Sequence, residues 1–205
     1  MEPTDGAAPF DDPAYRFEPW WPGARMLLFA EGGAVRLQAE HLADPLGAFP
    51  ELRAVAPLLA EDGAVIDGTL LVLDADGRPD AELLRERLTY PEVRTGTVAF
   101  VSSDLLWTGG REIRRRPFEE RRERLATLLR ERDWCMVARS FPGEGLAVAE
   151  ALASMGLDAL SARHLASSYR PGPSRGAWLR LPLRPPDIAP PPRRPTLALI
   201  QRLGL

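Results

Sequence analysis

Ala64-Val-Ile-Asp-Gly-Thr-Leu-Leu-Val-Leu-Asp-Ala-Asp-Gly-Arg-Pro-Asp80 decides the fold class. The run 64–73 is apolar and rich in β-branched residues, which predicts a long strand. Asp74-Ala-Asp-Gly77 closes it as a turn. From Asp80 to Leu88 the pattern becomes that of a short helix with an acidic first turn.

Working outward, Met26 to Ala30 and Ala34 to Gln38 flank Glu31-Gly-Gly33, the signal of a hairpin. Leu52, Val55, Leu58 and Leu59 have helical spacing after Pro50. Thr97 to Ser103, Trp134 to Arg139, Leu157 to Arg163 and Ala177 to Leu181 read as strands. Pro117 is expected to open a helix that runs to about Arg132, and Glu144 to Met155 is a helix closed by Gly156. Mixed strands and helices with hairpin-like connections give an α+β fold. Residues 1–16 read as a flexible lead-in, 17–184 as the domain, 185–195 as a Pro/Arg-rich linker and 196–205 as a short helix.

The chain contains no lysine: all 26 Lys-plus-Arg residues are arginine. A coding bias toward G and C would also produce this. The formal net charge of −3 gives no global pull toward nucleic acid or an anionic membrane. With Cys135 the single cysteine and His41 and His164 the only histidines, an internal disulfide is excluded and a zinc cluster is not expected. The acidic, Pro-rich start is not a signal peptide, and no apolar run reaches the ~20 residues of a membrane span. A cytoplasmic protein is expected.

From about Phe17 to Leu183 the chain resembles the adenylation domain of bacterial ATP-dependent DNA ligases of the non-homologous end-joining type. Phe49-Pro-Glu-Leu52, Val65-Ile-Asp-Gly68 and Leu73-Asp-Ala-Asp-Gly-Arg-Pro-Asp80 are similar to family segments. So are Asp104-Leu-Leu-Trp-Thr-Gly-Gly-Arg111, Arg116-Pro-Phe-Glu-Glu-Arg121, Ser167-Ser-Tyr-Arg-Pro-Gly172 and Gly176-Ala-Trp-Leu-Arg180. The resemblance implies an ATP-grasp-like fold of antiparallel sheets flanked by helices. The residues after Leu183 are too few and too Pro-rich for the family's second, oligonucleotide-binding (OB-fold) barrel, which is not expected.

The positions that carry chemistry in that family differ here. The family's Glu-Pro-Lys-x-Asp-Gly-x-Arg resembles Glu18-Pro-Trp-Trp-Pro-Gly-Ala-Arg25, so Trp20 stands where the AMP-accepting lysine is expected, Pro22 replaces the aspartate and Arg25 remains. A family Ser-Arg-Asn-Gly segment falls on Ala39-Glu-His-Leu42. Thr69 falls on a carboxylate that helps hold ribose or metal, and Ser103 on the adenine-stacking aromatic. Asp158-Ala159 falls on a Glu-Gly pair, Arg163 on a lysine, and Arg180 and Pro182 on two further lysines. An arginine cannot replace the nucleophile, because its guanidinium stays protonated and offers no lone pair.

The resemblance therefore implies a catalytically inactive homologue: no catalytic residue, no metal, no cofactor, and no expected ATP or Mg²⁺ binding. DNA or a DNA-repair protein is the expected partner. Arg25, Arg163 and Arg180 are candidates for a residual phosphate site. A second reading keeps a nucleotide-handling enzyme that uses Arg25, Asp158 and Arg163 without a covalent intermediate. A third is a structural module that pairs through Trp20-Trp21 or the Arg-rich helix. Trp20 and Trp21 read either as a plug or as core filling, with core filling favoured. Asp158 and Arg163 read either as residual ligands or as a structural pair, the pair favoured. The arginines of 111–132 read either as a phosphate stripe or as a solvated face balanced by Glu119, Glu120 and Glu123, the solvated face favoured.

Overall fold

The apolar run at 64–73 forms one unbroken strand because both of its faces are buried. A computed structural model describes residues 1–40, 42 and 44–183. In chain order the elements begin with β1 (Thr4–Asp5), β2 (Asp12–Pro19), β3 (Ala24–Glu31), β4 (Ala34–Gln38), α1 (Pro45–Ala48), a 3₁₀ helix (Pro50–Leu58), β5 (Ala64–Leu73) and α2 (Ala81–Thr89). They continue with β6 (Thr97–Thr108), β7 (Arg111–Glu112), α3 (Phe118–Leu128), β8 (Cys135–Val137), β9 (Phe141–Gly143), α4 (Gly145–Ser154), β10 (Ala159–His164) and β11 (Trp178–Pro182).

Two sheets result. One has the order β4-β3-β5-β6-β7, with β8 alongside β6; the other has the order β1-β11-β10-β2-β9. Apart from β1 on β11 and β8 on β6, the pairings are antiparallel. Side chains alternate across β5. Ile66, Leu70 and Val72 enter a core with Phe49, Leu52, Phe100, Leu125 and Leu128. Leu71 and Leu73 enter a second core with Phe17, Val148, Leu152, Leu160 and Ala162. Gly68 lets β5 and β6 approach: a Cβ there would lie 2.5 Å from the Phe100 ring and 2.8 Å from the Val101 carbonyl. Gly32 and Gly33, at φ 57° and 76°, turn the β3–β4 hairpin.

Asp80 caps α2 by accepting from the Glu82 and Leu83 amides at 2.8 and 3.0 Å. The helix expected after Pro50 is 3₁₀ rather than α, and Pro57 within it removes an amide donor. The strand expected at 97–103 continues to Thr108, while α3 stops at Leu128 instead of about Arg132. Residues 1–16, expected as a lead-in, carry β1 and much of β2. His41, the linker 185–195 and the helix 196–205 lie outside the described residues. Among the described residues no helix is long and apolar enough to cross a membrane.

One buried charge cluster ties the two sheets together. Asp104 of β6 accepts from Arg121 Nε and Nη2 of α3 at 2.7 and 2.8 Å, and from Arg163 Nη1 of β10 at 3.0 Å. Asp104 and Arg121 are 0% exposed and Arg163 is 1% exposed. Arg121 also donates to the Arg116 and Ser167 carbonyls. Beside it, the buried Arg122 donates to the Ser102, Ser103 and Ala138 carbonyls. For Arg121 and Arg122 the solvated-face expectation is therefore corrected: the Glu–Arg alternation of α3 resembles a surface helix, but these two arginines point at buried acceptors.

Two predictions follow from this packing. Asp104→Ala leaves buried guanidiniums unpaired, so urea unfolding should show a loss of about 3–5 kcal/mol. Glu112→Ala, which breaks the exposed pair with Arg114 at 2.6 Å, should cost less than ~1 kcal/mol. Cys135 is fully buried and its thiol pKa is pushed up to about 12, by burial and then by Glu131. Ellman's reagent at about pH 8 should leave the folded chain unlabelled and titrate the thiol in guanidinium.

Candidate functional site

A cleft of about 440 Å³ opens where the two sheets splay apart. Strand register explains its lining. Glu18 of β2 is opposite Ser161 of β10, and Ser161 is opposite Arg180 of β11; Arg163 is opposite Trp178. Residues opposite one another in antiparallel strands share a face. The other sheet supplies Arg25, Asp67, Thr69, Val101 and Ser103.

The carboxylates at the cleft are matched with guanidiniums. Arg25 Nε and Nη2 donate to the two oxygens of Asp67 at 2.9 and 2.6 Å. Tyr169 Oη donates to Asp67 Oδ2 at 3.0 Å and accepts from Arg25 Nη2 at 2.9 Å. Burial opposes the Arg25 charge, but the hydrogen bonds and charge of Asp67 outweigh it and hold its pKa above the ordinary value. Burial, then the charge of Asp67, raises the Tyr169 phenol. Arg122 Nη2 sits 3.4 Å from Glu18 Oε1, an ion pair without hydrogen-bond geometry. Burial lowers the Arg122 pKa despite Glu18.

Trp178 is the centre of the cleft wall. Arg163 lies 3.9 Å and Arg25 4.7 Å from its ring centroid, and its Nε1 donates to Ser161 Oγ at 2.8 Å. Trp20, half-buried at the mouth, packs 6.2 Å from Trp178. Both rings line the cleft; Trp21 is also buried in the second core, as expected of a core-filling ring, and Trp20 packs against the cluster of Met1, Leu106, Tyr169 and Trp178.

The predicted positions divide. Pro22, Thr69 and Ser103 line the cleft with Trp20, Arg25 and Arg163. Arg180 lies at its edge, 5.6 Å from the Trp20 ring and 3.9 Å from Asp5. Asp158 is exposed and does not pair with Arg163, whose carboxylate is Asp104. An odd separation along an extended chain sends the two side chains to opposite faces, so that expected pair is corrected. Sequence reasoning gave no site role to Asp104, Tyr169 or Trp178, and gave Arg121 and Arg122 one only as members of a phosphate stripe, the reading not favoured. The available signal was Ser102-Ser-Asp104 inside an otherwise apolar strand: a buried carboxylate demands cationic partners.

Glu18 Oε1, Trp21 Nε1 and Arg163 Nε are buried in the cleft wall and take no hydrogen bond. One ion-paired acceptor and two donors are thus left without a hydrogen bond in a cavity walled by Trp20, Trp21 and Trp178.

Comparison with known proteins places this architecture. The ATP dependent DNA ligase domain family matches residues 6–181. The multifunctional non-homologous end joining DNA repair protein LigD of Mycobacterium tuberculosis is 32% identical over 166 residues, 81% of this chain and 21% of its own length. LigD of Mycolicibacterium smegmatis is 28% identical over 181 residues, 88% of this chain and 23% of its own length. The chain thus spans between a fifth and a quarter of these relatives. A solved mycobacterial DNA ligase D complexed with ATP and MES aligns with TM-score 0.75 and 29% identity over 88% of this chain and 58% of its own. The ligase domain of Mycobacterium tuberculosis LigD gives TM-score 0.73 and 30% identity over 86% of this chain and 56% of its own. The chain belongs to the ATP-dependent DNA ligase domain family and is homologous to the ligase domains of bacterial end-joining LigD proteins.

Proposed function

We propose that this chain is a non-catalytic member of its family that acts by binding in DNA end joining, in the bacterial cytoplasm, with DNA or a DNA-repair protein as partner. The observation that carries this reading is the absence of any lysine from the 205 residues. AMP transfer through a phosphoramidate needs an unprotonated amine, and an arginine side chain supplies none at workable pH. Losing the nucleophile from a catalytic set costs on the order of 10⁶ in rate by analogy with a serine protease.

The donor set also fits a Mg²⁺–triphosphate poorly. Asp67, Asp104 and Glu18 are each faced by a guanidinium. Arg25 and Arg163, two of the residual-phosphate candidates, are engaged with Asp67 and Asp104 and lie against Trp178; Arg180 leans on Trp20 and Asp5. Thr69 and Ser103 add hydroxyls to the lining rather than a carboxylate and a ring.

A second reading, residual nucleotide handling without a covalent intermediate, is favoured by the Glu18, Trp21 and Arg163 atoms that take no hydrogen bond in the cleft. Incubation with α-labelled ATP and Mg²⁺ should leave no label on the protein, and a stable protein–AMP adduct would contradict the first reading. Thermal shift separates the two. A ligand at 100 times its dissociation constant stabilises a fold by ~2.7 kcal/mol. No shift is expected with ATP, GTP or NAD, and a shift is expected with DNA ends.

A further inference from the structure

Residues 1–6 run along the mouth of the cleft as a strap. The Glu2 amide donates to the Gly172 carbonyl at 2.8 Å, and the Ser174 amide donates to the Glu2 carbonyl at 2.9 Å. At the other end the Gly6 amide donates to the Arg180 carbonyl at 2.9 Å. Between these anchors β1 lies parallel to β11, with Thr4 opposite Leu179 and Asp5 opposite Arg180. Met1 is buried with Leu106, Tyr169 and Trp178, in the cluster on which Trp20 packs. Pro3 lines the cleft itself, and Asp5 reaches Arg180 at 3.9 Å. The strap therefore meets Trp178, Tyr169 and Arg180, residues that frame one side of the mouth.

Its hold is light. Only Thr4 and Asp5 pair as a strand, and the pairing is parallel, the weaker arrangement per residue. Met1 is the strap's one buried side chain; Glu2 and Asp5 are exposed, and Pro3 and Thr4 are half-buried. No strap residue enters either of the two main cores. Segments with few buried apolar contacts open locally while the rest of a fold stays closed. What the strap covers is central to the cleft: Trp178 is 6% exposed beneath it and carries the ring contacts of Arg25 and Arg163.

We propose that residues 1–6 form an autoinhibitory strap. Closed, it shields the Trp178 wall of the cleft. Open, it uncovers that ring and the main-chain edge of β11 while both main cores stay folded. A flat ligand that stacks on Trp178 binds the open form alone. Its apparent affinity is lowered by the open fraction, and its binding draws the strap off by mass action.

The test labels the full chain with 2-hydroxy-5-nitrobenzyl bromide, a flat aromatic reagent that alkylates accessible indoles, and reads each tryptophan by mass spectrometry. In the wild type Trp107, 39% exposed, should react fast and Trp178 slowly. Glu2→Pro/Gly6→Pro removes both strap amide donors. A Cβ at Gly6 would also lie 2.3 Å from Leu181 Cδ2, so the altered strap cannot lie on β11. Labelling of Trp178 in this variant should rise about tenfold or more, with Trp107 unchanged and Cys135 still closed to Ellman's reagent. Thr4→Cys/Ser174→Cys replaces hydroxyls whose oxygens lie 3.4 Å apart; oxidised, it should pin the strap and slow Trp178 labelling below the wild-type rate. Trp178 labelled no faster in the double-proline variant, or no slower in the pinned one, overturns the proposal. So does a reactive Cys135 in the double-proline variant, because the strap would then belong to the global fold.

Discussion

Asp104 accepts the bidentate fork of Arg121 and a further bond from Arg163 in a site closed to solvent. That shared carboxylate sets α3 against one sheet and β10 of the other. Neutralising two guanidiniums with one carboxylate leaves positive charge to be met elsewhere, and Trp178 meets part of it with its ring face. From Trp178 the chain of contacts runs to Arg25, then to Asp67 and Tyr169. The cleft wall is therefore one connected network, and its members hold one another in place.

A network whose charges are paired from within has a functional consequence. Cations that would otherwise meet an incoming phosphate already have partners, and pulling one away exposes a buried carboxylate. Such disruption costs several kcal/mol per charge. A ligand that enters must offer more than the protein already provides. On the proposed reading, the family scaffold remains while AMP transfer does not.

Much of the fold was legible because its elements have simple physical causes. Ala64–Leu73 was readable to the residue, since burial on both faces favours apolar residues along most of a strand. Asp80 marked the start of α2 because a carboxylate there accepts the free amides. The 3₁₀ form of the helix after Pro50 could have been suspected from Pro57, which removes an amide donor, whereas no sequence signal marked the early end of α3. At the site, Trp20, Pro22, Arg25, Thr69, Ser103 and Arg163 line one cleft, whereas Asp158 and Arg180 do not. Arg121 and Arg122 were hidden by their setting: a Glu- and Arg-rich helix looks solvated until a buried aspartate is known to face it. Asp158 and Arg163 could have been separated from parity alone.

On the proposed reading, the protein's own charge and ring pairs hold the cleft in place of a Mg²⁺-bound nucleotide. A crystal structure of the chain soaked with ATP and Mg²⁺ tests it most directly. Arg25 is expected on Asp67, Arg163 on Asp104 and both against Trp178, with no nucleotide between the sheets. Ordered ATP in the cleft, with Arg25 or Arg163 swung from its carboxylate onto phosphate, would contradict it.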